Sequence, residues 1–270
     1  MQIIRFESDD NKVYTGCQYE DGQANIIQGD IYADFKVSSV RKTIKKLLTP
    51  IAPTVIYGIG LNYRPHIQET GSKPPEYPIV FMKNPGAAAA HLEDIKIPAS
   101  CKKPPQVDYE AELGVVIKKR IKNASVENAL DAVLGYSCVN DVSARTWQMT
   151  GGGKQWVKGK SFDTFCPFGP WIVTPDEIKN PDDLQVECLL NGEIMQTGNT
   201  REMIFSVARI ISFLSESATL LPGTLILTGT PSGVGFTRQP PVFLAPGDVV
   251  ETRIEKIGVL KNLVAPEKEQ

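Results

Sequence analysis

The run Val107-Asp108-Tyr109-Glu110-Ala111-Glu112-Leu113-Gly114-Val115-Val116-Ile117 restricts the fold more than any other part of the chain. Its second half is an apolar, β-branched run, as in a buried strand. Its first half sets carboxylates at alternate positions, so on a strand Asp108, Glu110 and Glu112 share one face. Carboxylates that close raise one another's pKa, and burying them is unfavourable without a cation among them. The segment holds no Lys or Arg. A divalent, oxygen-preferring ion answers that requirement: Mg²⁺, Mn²⁺ or Ca²⁺. A strand whose acids face water fits the same spacing equally well, because Glu-X-Glu is common on sheet surfaces.

A chain of 270 residues can bury a substantial core. Its net charge of −2, with 22% charged residues, provides neither a basic face for nucleic acid nor a polybasic membrane patch. The first ten residues lack the apolar core of a signal peptide and are too acidic for a transit peptide. No apolar run approaches the roughly 20 residues of a membrane span. A cytoplasmic protein without nucleic-acid or membrane partners is the expectation. Cys17, Cys101, Cys138, Cys166 and Cys188 are scattered, with no C-x-x-C and no zinc spacing to His66 or His91. Reduced, mostly buried thiols are expected.

Short strands separated by Asp/Asn/Gly turns are predicted over 2–7, 12–19 and 24–32. A helix is predicted over 39–48, where Val40, Ile44, Leu47 and Leu48 form one stripe. Prolines at 50 and 53 then separate a small N-terminal β-rich module (1–50) from a larger domain (51–265). Further strands are predicted over 55–59, 79–82, 112–118, 134–139, 171–174, 184–190, 193–196, 225–228, 249–254 and 258–263. Asn191-Gly192 marks a hairpin. In the larger domain helical spacing is found over 126–133 and 205–214. An α+β, β-rich mixed fold follows, and the lack of regular strand–helix alternation excludes a doubly wound sheet or TIM barrel. Residues 266–270 are expected to be disordered.

Four further clusters carry chemistry. Gly58 and Gly60 follow a strand, but no third glycine or Lys-Ser/Thr completes a nucleotide loop. His66 and Glu69 are three apart, so on a helical turn the carboxylate fixes the imidazole's tautomer and raises its basicity. That pair is either a general base or a loop histidine with a solvated neighbour. Arg145 and Gln148 lie four and seven residues beyond Asp141, on one face if 141–148 is helical, and present one metal ligand plus two donors for an anion. Asp141 serves equally as an N-cap. Lys160, among small and apolar residues, suits oxyanion stabilisation or a solvated turn. The loop after the 225–228 strand, Thr228-Gly229-Thr230-Pro231-Ser232-Gly233-Val234-Gly235, offers backbone donors to a carboxylate or is simply tight.

In their order along the chain, these motifs resemble the fumarylacetoacetate hydrolase family. The carriers are Gly60-Leu61-Asn62-Tyr63 with His66 and Glu69, Asp108-Tyr109-Glu110-Ala111-Glu112-Leu113, and Asn140-Asp141-Val142-Ser143-Ala144-Arg145 with Gln148. Gly159-Lys160-Ser161-Phe162-Asp163, Phe168-Gly169-Pro170 and the 227–235 loop complete them. The likeness runs from about residue 55 to 262 and is nearest to the branch of small, homodimeric, domain-containing members.

The resemblance implies that Glu110, Glu112 and Asp141 bind the metal, with Mg²⁺ expected and Mn²⁺ or Ca²⁺ admitted. It implies that His66, Glu69 and Lys160 are catalytic, with the dyad on a mobile lid, and that Tyr63, Arg145, Gln148 and Thr230 contact substrate. Lys83 falls in a segment near the pocket, and Asp108 lies outside the ligand pair. The implied activity is metal-dependent hydrolysis of a C–C bond in acylpyruvate- or fumarylacetoacetate-like 2-oxo acids through an enolate. Keto–enol tautomerisation or decarboxylation of oxaloacetate, or isomerisation of a 2-oxo diacid, is the alternative on the same site. A non-catalytic binding protein would be expected to have lost a polar position, and none is missing.

Overall fold

Alternating and continuous apolar runs pair into sheets that leave little room for helices. The computed structural model describes residues 1–268. In chain order the strands are β1 (Gln2–Ser8), β2 (Val13–Glu20), β3 (Gln23–Gly29), β4 (Phe35–Leu48), β5 (Val55–Gly60), β6 (Ile79–Lys83), β7 (Ala88–Ala89), β8 (Ile95–Ile97) and β9 (Val107–Asp108). They continue as β10 (Ala111–Ile117), β11 (Val133–Asn140), β12 (Ser143–Ala144), β13 (Cys166–Val173), β14 (Gln185–Leu190), β15 (Glu193–Asn199), β16 (Thr224–Leu227), β17 (Val249–Ile254) and β18 (Gly258–Pro266). The α-helices are α1 (Arg64–Glu69), α2 (Arg145–Met149), α3 (Trp156–Lys160) and α4 (Val207–Ser215). This is the β-rich α+β fold that the sequence predicts.

An 11-stranded sheet runs β2-β3-β4-β1-β13-β11-β10-β16-β5-β6, with β7 added beside β13. A five-stranded sheet, β15-β14-β17-β18-β8, packs against it, and β9 and β12 form a two-stranded pair. Every residue of β10 and β11 is buried, which explains their unbroken apolar character. Fully burying one such Val, Ile or Leu stabilises by roughly 1.5–3 kcal/mol. The N-terminal strands join the large sheet directly, because β1 pairs with β13 through Gln2↔Val173 and Ile3↔Ile172. All five cysteines are free and buried.

The helix predicted over 39–48 is instead the second half of β4, paired with β3 and β1. Val37, Val40, Thr43 and Ile44 are β-branched and favour the extended chain. Pairing on both sides then outweighs the helical stripe of Val40, Ile44, Leu47 and Leu48. The stretch 126–133 forms a 3₁₀ helix over Val126–Ala132, and α4 is capped by Ser206, whose hydroxyl accepts the Arg209 N–H. At the chain's end β18 extends through Pro266, and the Glu267 N–H donates to the Ile97 carbonyl at 3.0 Å, so the disorder expected from residue 266 starts too early. Residues 269–270 lie outside the described residues.

Candidate active site

The chain's polar clusters meet at one end of the large sheet. The antiparallel register of β10 and β11 places Ala111 opposite Asn140, so Glu110 and Asp141, just beyond the ladder, become neighbours. The Asp141 N–H donates to the Glu110 carbonyl at 2.8 Å. Carboxylate oxygens of Glu110, Glu112 and Asp141 lie within 4.8 Å of one another, all three residues buried. The parallel pair β16 and β5 delivers the 228–230 loop and the 60–63 turn to the same end.

Asp108 does not share that face, because the chain leaves strand geometry at Tyr109 and Glu110. Its carboxylate turns away and accepts from Arg145 Nε at 2.8 Å and from the Gly235 and Phe236 N–H groups at 2.8 and 3.0 Å. Nor are 141–148 one helix: residues 143–144 pair with β9, and α2 begins only at Arg145. Arg145 and Gln148 still meet, with Nη1 of the arginine donating to the amide oxygen at 2.9 Å.

The cations missing from the acidic segment arrive from elsewhere in the chain. Arg145 pairs with Glu110 at 2.6 Å, Lys160 Nζ with Glu110 at 2.8 Å and with Asp141, and Lys83 Nζ with Asp141. Lys160 also donates to the Ser143 hydroxyl at 2.7 Å. Far from a solvated turn, it is 1% exposed. Its position depends on Gly159, where a Cβ would stand 2.8 Å from the Gln148 nitrogen and block the packing of α3 on α2. Burial opposes the Lys160 charge, but Asp141 and Glu110 more than offset it and hold its pKa above the ordinary lysine value. Burial likewise opposes ionisation of Glu110, and Lys160 and Arg145 reverse the balance, so this carboxyl lies well below the usual range.

Glu112 is different. Its carboxylate accepts the Gly229 N–H at 2.6 Å and makes no ion pair among the described residues. Burial and the neighbouring Asp141 and Glu110 charges push its pKa well above the ordinary value. Buried carboxylates of Asp108, Glu110, Glu112 and Asp141 face Lys83, Arg145 and Lys160, leaving one negative charge uncompensated. Oxygen donors of this kind suit a hard divalent cation, and each carboxylate has lone pairs to spare beyond its lysine or arginine bond. Glu110, Glu112 and Asp141 therefore fit a divalent ion.

His66 and Glu69 occupy one turn of α1, with Nδ1 and Oε1 at 2.6 Å. Glu69 Oε2 accepts the Gly233 N–H at 2.9 Å and the Thr237 hydroxyl at 3.2 Å. Half-burial alone would raise the Glu69 pKa; the bonds from His66 and Gly233 lower it below the ordinary value. A cavity of about 320 Å³ brings together His66, Glu110, Glu112, Arg145, Gln148, Lys160 and Thr230. The Thr230 hydroxyl donates to the Ala111 carbonyl at 2.9 Å and accepts from Gln196 at 2.7 Å. Tyr63 is not brought to the cavity wall: it is fully buried in the core, its hydroxyl without a partner. A side chain beside a loop motif goes to whichever face packs better, and the apolar ring goes inward.

Sequence reasoning missed much of the cavity wall. Ile59, Leu61, Phe81, Met149 and Trp156 form its apolar side, and Lys154 and Phe236 complete it. Lys154 follows Gly151-Gly152-Gly153 and has a left-handed backbone (φ 64°), an unusual conformation for lysine. That glycine run was the available signal. Among the described residues no carboxylate pairs with Lys154. The bonding of Lys83 to Asp141 gives that lysine a definite place under the carboxylate cluster, beyond the general vicinity the sequence implied.

The chain is similar to proteins of known name. The mitochondrial oxaloacetate tautomerase of Xenopus laevis is 46% identical over 219 residues, 81% of this chain and 68% of that one. A human counterpart of the same description is 43% identical over 218 residues, 80% and 68% of the two chains. Among solved structures, a 5-carboxymethyl-2-hydroxymuconate delta-isomerase from Mycobacterium smegmatis superposes with a TM-score of 0.86 at 33% identity, over 99% of this chain and 100% of that one. A fumarylacetoacetate hydrolase from Exiguobacterium antarcticum gives 0.86 at 35%, with the same coverage. The expectation of a cytoplasmic location is corrected by these relatives, whose names place them in mitochondria. Residues 55–265 match the model of the fumarylacetoacetate (FAA) hydrolase C-terminal domain, the stretch that carries the carboxylate cluster, the dyad and the cavity. By that match and these identities, the chain belongs to the fumarylacetoacetate hydrolase family.

Proposed function

We propose that this protein is an oxaloacetate tautomerase, interconverting the enol and keto forms of a four-carbon 2-oxo diacid. The observation that carries the proposal is the charge pattern of the cavity. A divalent ion held by Glu110, Glu112 and Asp141 turns the uncompensated negative charge into a net positive one, and Lys154 adds a free cation at the wall. A dianion suits that balance better than a monoanion such as acetylpyruvate. The names of relatives at 41–46% identity support it.

Glu110, Glu112 and Asp141 would hold the ion, which supplies Lewis-acid polarisation of the keto oxygen when bound. Arg145 and Gln148 orient the carboxylate beside the keto group through charge-assisted and neutral hydrogen bonds, and Thr230 lines the cavity beside them. With Nδ1 donating to the Glu69 carboxylate, the imidazole of His66 keeps Nε2 as its basic nitrogen. Nε2 removes the proton from the enol hydroxyl, and a proton returns to C3, so a C–O–H and a C=C become a C=O and a CH₂. Lys160, held as an ammonium by Asp141 and Glu110, stabilises the enolate charge in between.

A second reading, hydrolysis of an acylpyruvate, is favoured by the same 2.6 Å dyad, because a base of this kind also activates water. Assaying enol-oxaloacetate and acetylpyruvate with and without Mg²⁺ separates the two. Rapid Mg²⁺-dependent enol loss without C–C cleavage is the expected result; magnesium-dependent acetylpyruvate cleavage with no acceleration of enol loss would replace tautomerase by hydrolase. The proposal extends to a homodimer, for which a monomer mass by light scattering is the contrary result.

A further inference from the structure

The loop 233–237 touches two functional groups that are otherwise separate. From its two ends it holds α1, the helix that the family resemblance makes a lid: the Gly233 N–H and the Thr237 hydroxyl both reach Glu69 Oε2, at 2.9 and 3.2 Å. The other oxygen of that carboxylate engages His66. At its middle the loop is fixed to Asp108, through the Gly235 N–H at 2.8 Å and the Phe236 N–H at 3.0 Å. Asp108 in turn holds Arg145 Nε at 2.8 Å. The Phe236 ring covers the same guanidinium, 4.4 Å from its centroid. Little slack exists at the junction: a Cβ on Gly235 would lie 1.9 Å from the Val242 carbonyl oxygen and 2.6 Å from Asp108 Oδ1.

We propose that the 233–237 loop is a strut that sets the proton-handling dyad according to the state of the anion-binding arginine, with Asp108 and Phe236 as positioning residues. Asp108 lies outside the cavity wall, and Phe236 lines it. Asp108 lies under Arg145 and is joined to His66 by hydrogen bonds through the loop and Glu69. An anion that orders Arg145 thereby orders Asp108 and the ring of Phe236, and the loop passes that order to Oε2 of Glu69. Such a coupling is reciprocal, so fixing the lid also stiffens the arginine. The inference rests on the proposed role of His66 and Glu69 in proton transfer, although its structural part does not require it.

The test compares amide hydrogen exchange over residues 64–72 in the full-length protein, without substrate, for the wild type, Thr237→Val, Asp108→Asn and Phe236→Leu. Thr237→Val removes a direct contact to Glu69 and sets the scale, two- to tenfold faster lid exchange for one lost hydrogen bond. Asp108→Asn, which touches the middle of the loop and not Glu69, is expected to raise lid exchange by a comparable factor. Faster exchange confined to 233–237, with the lid at the wild-type rate, would overturn the strut. Should Asp108→Asn fail to fold by circular dichroism, Phe236→Leu carries the same comparison.

A kinetic cycle reads the coupling a second way. In oxaloacetate turnover, independent effects of Asp108→Asn and Glu69→Gln on kcat multiply to within about twofold. A strut requires the double variant to be at least fivefold more active than that product. A simple structural role predicts a plain product. A wild type that turns over no 2-oxo acid would refute the proposed activity, and the exchange experiment would still decide the strut.

Discussion

Replacing Glu112 by Gln should stabilise the metal-free protein. The carboxylate is 2% exposed, accepts one hydrogen bond, from Gly229, and lies among oxygens of Glu110 and Asp141 within 4.8 Å. At that spacing and an effective dielectric of about 20, each repulsion amounts to roughly 3 kcal/mol, and Lys160 offsets about one of the two. Losing the charge on the Gly229 bond costs about 1–2 kcal/mol. The balance is a gain of about 1–2 kcal/mol, or roughly 2–8 °C in Tm for a chain of this size. Calorimetry in a chelator at pH 7.5 measures it.

The Glu112 pKa is raised in the fold, so its penalty is absent below the unfolded value near 4.5 and grows as pH rises toward the folded one. The advantage of Gln therefore shrinks as pH falls toward 4.5. With Mg²⁺ at a hundred times its Kd, the wild type gains about 2.7 kcal/mol and the variant gains much less. A Glu112→Gln protein less stable than wild type in chelator at pH 7.5 would refute the account of an uncompensated carboxylate.

His66→Ala and Glu69→Gln should each lower kcat for oxaloacetate by about 10²–10⁴ while leaving the far-ultraviolet circular dichroism unchanged. Lys154→Ala should raise KM for oxaloacetate about tenfold, roughly 1.4 kcal/mol, and leave the inhibition constant of 2-oxobutanoate, which lacks the distal carboxylate, near its original value; equal losses for both would remove Lys154 from the distal site. Asn62→Ala should destabilise by about 2–4 kcal/mol by calorimetry, because the buried amide bonds the Phe205 and Thr228 carbonyls at 3.0 and 2.8 Å and the Phe205 N–H at 2.8 Å.

Strand placement was legible wherever apolar runs were bounded by turn residues, as at Asn191-Gly192, whose positive φ values of 53° and 84° suit the hairpin. The 39–48 stretch was misread because its apolar spacing matches a helix, while its pairing partners are remote in sequence. Alternation correctly grouped Glu110 with Glu112 and wrongly added Asp108, since a break in strand geometry at Tyr109 leaves no mark in a two-residue period. The cations beside the acids were invisible locally: Lys83, Arg145 and Lys160 lie 27, 35 and 50 positions from Glu110 and arrive by topology. His66 and Glu69 were readable because three residues of helix suffice to join them. Tyr63, one turn earlier, depended on which side of α1 faced the core.

His66 and Glu69 stand on α1, a helix of six residues, whereas the carboxylates stand on buried ladder ends. A helix that short has almost no stability of its own. In the proposed mechanism, recognition of a 2-oxo acid's head and the fate of its proton therefore reside in parts of very different stiffness. Substitutions in 61–72 can redirect the reaction, from moving a proton within the substrate to drawing one from water, while the grip on the head group stays as it was. One rigid chelating floor under an exchangeable ceiling is a physical route by which closely similar chains come to catalyse different reactions.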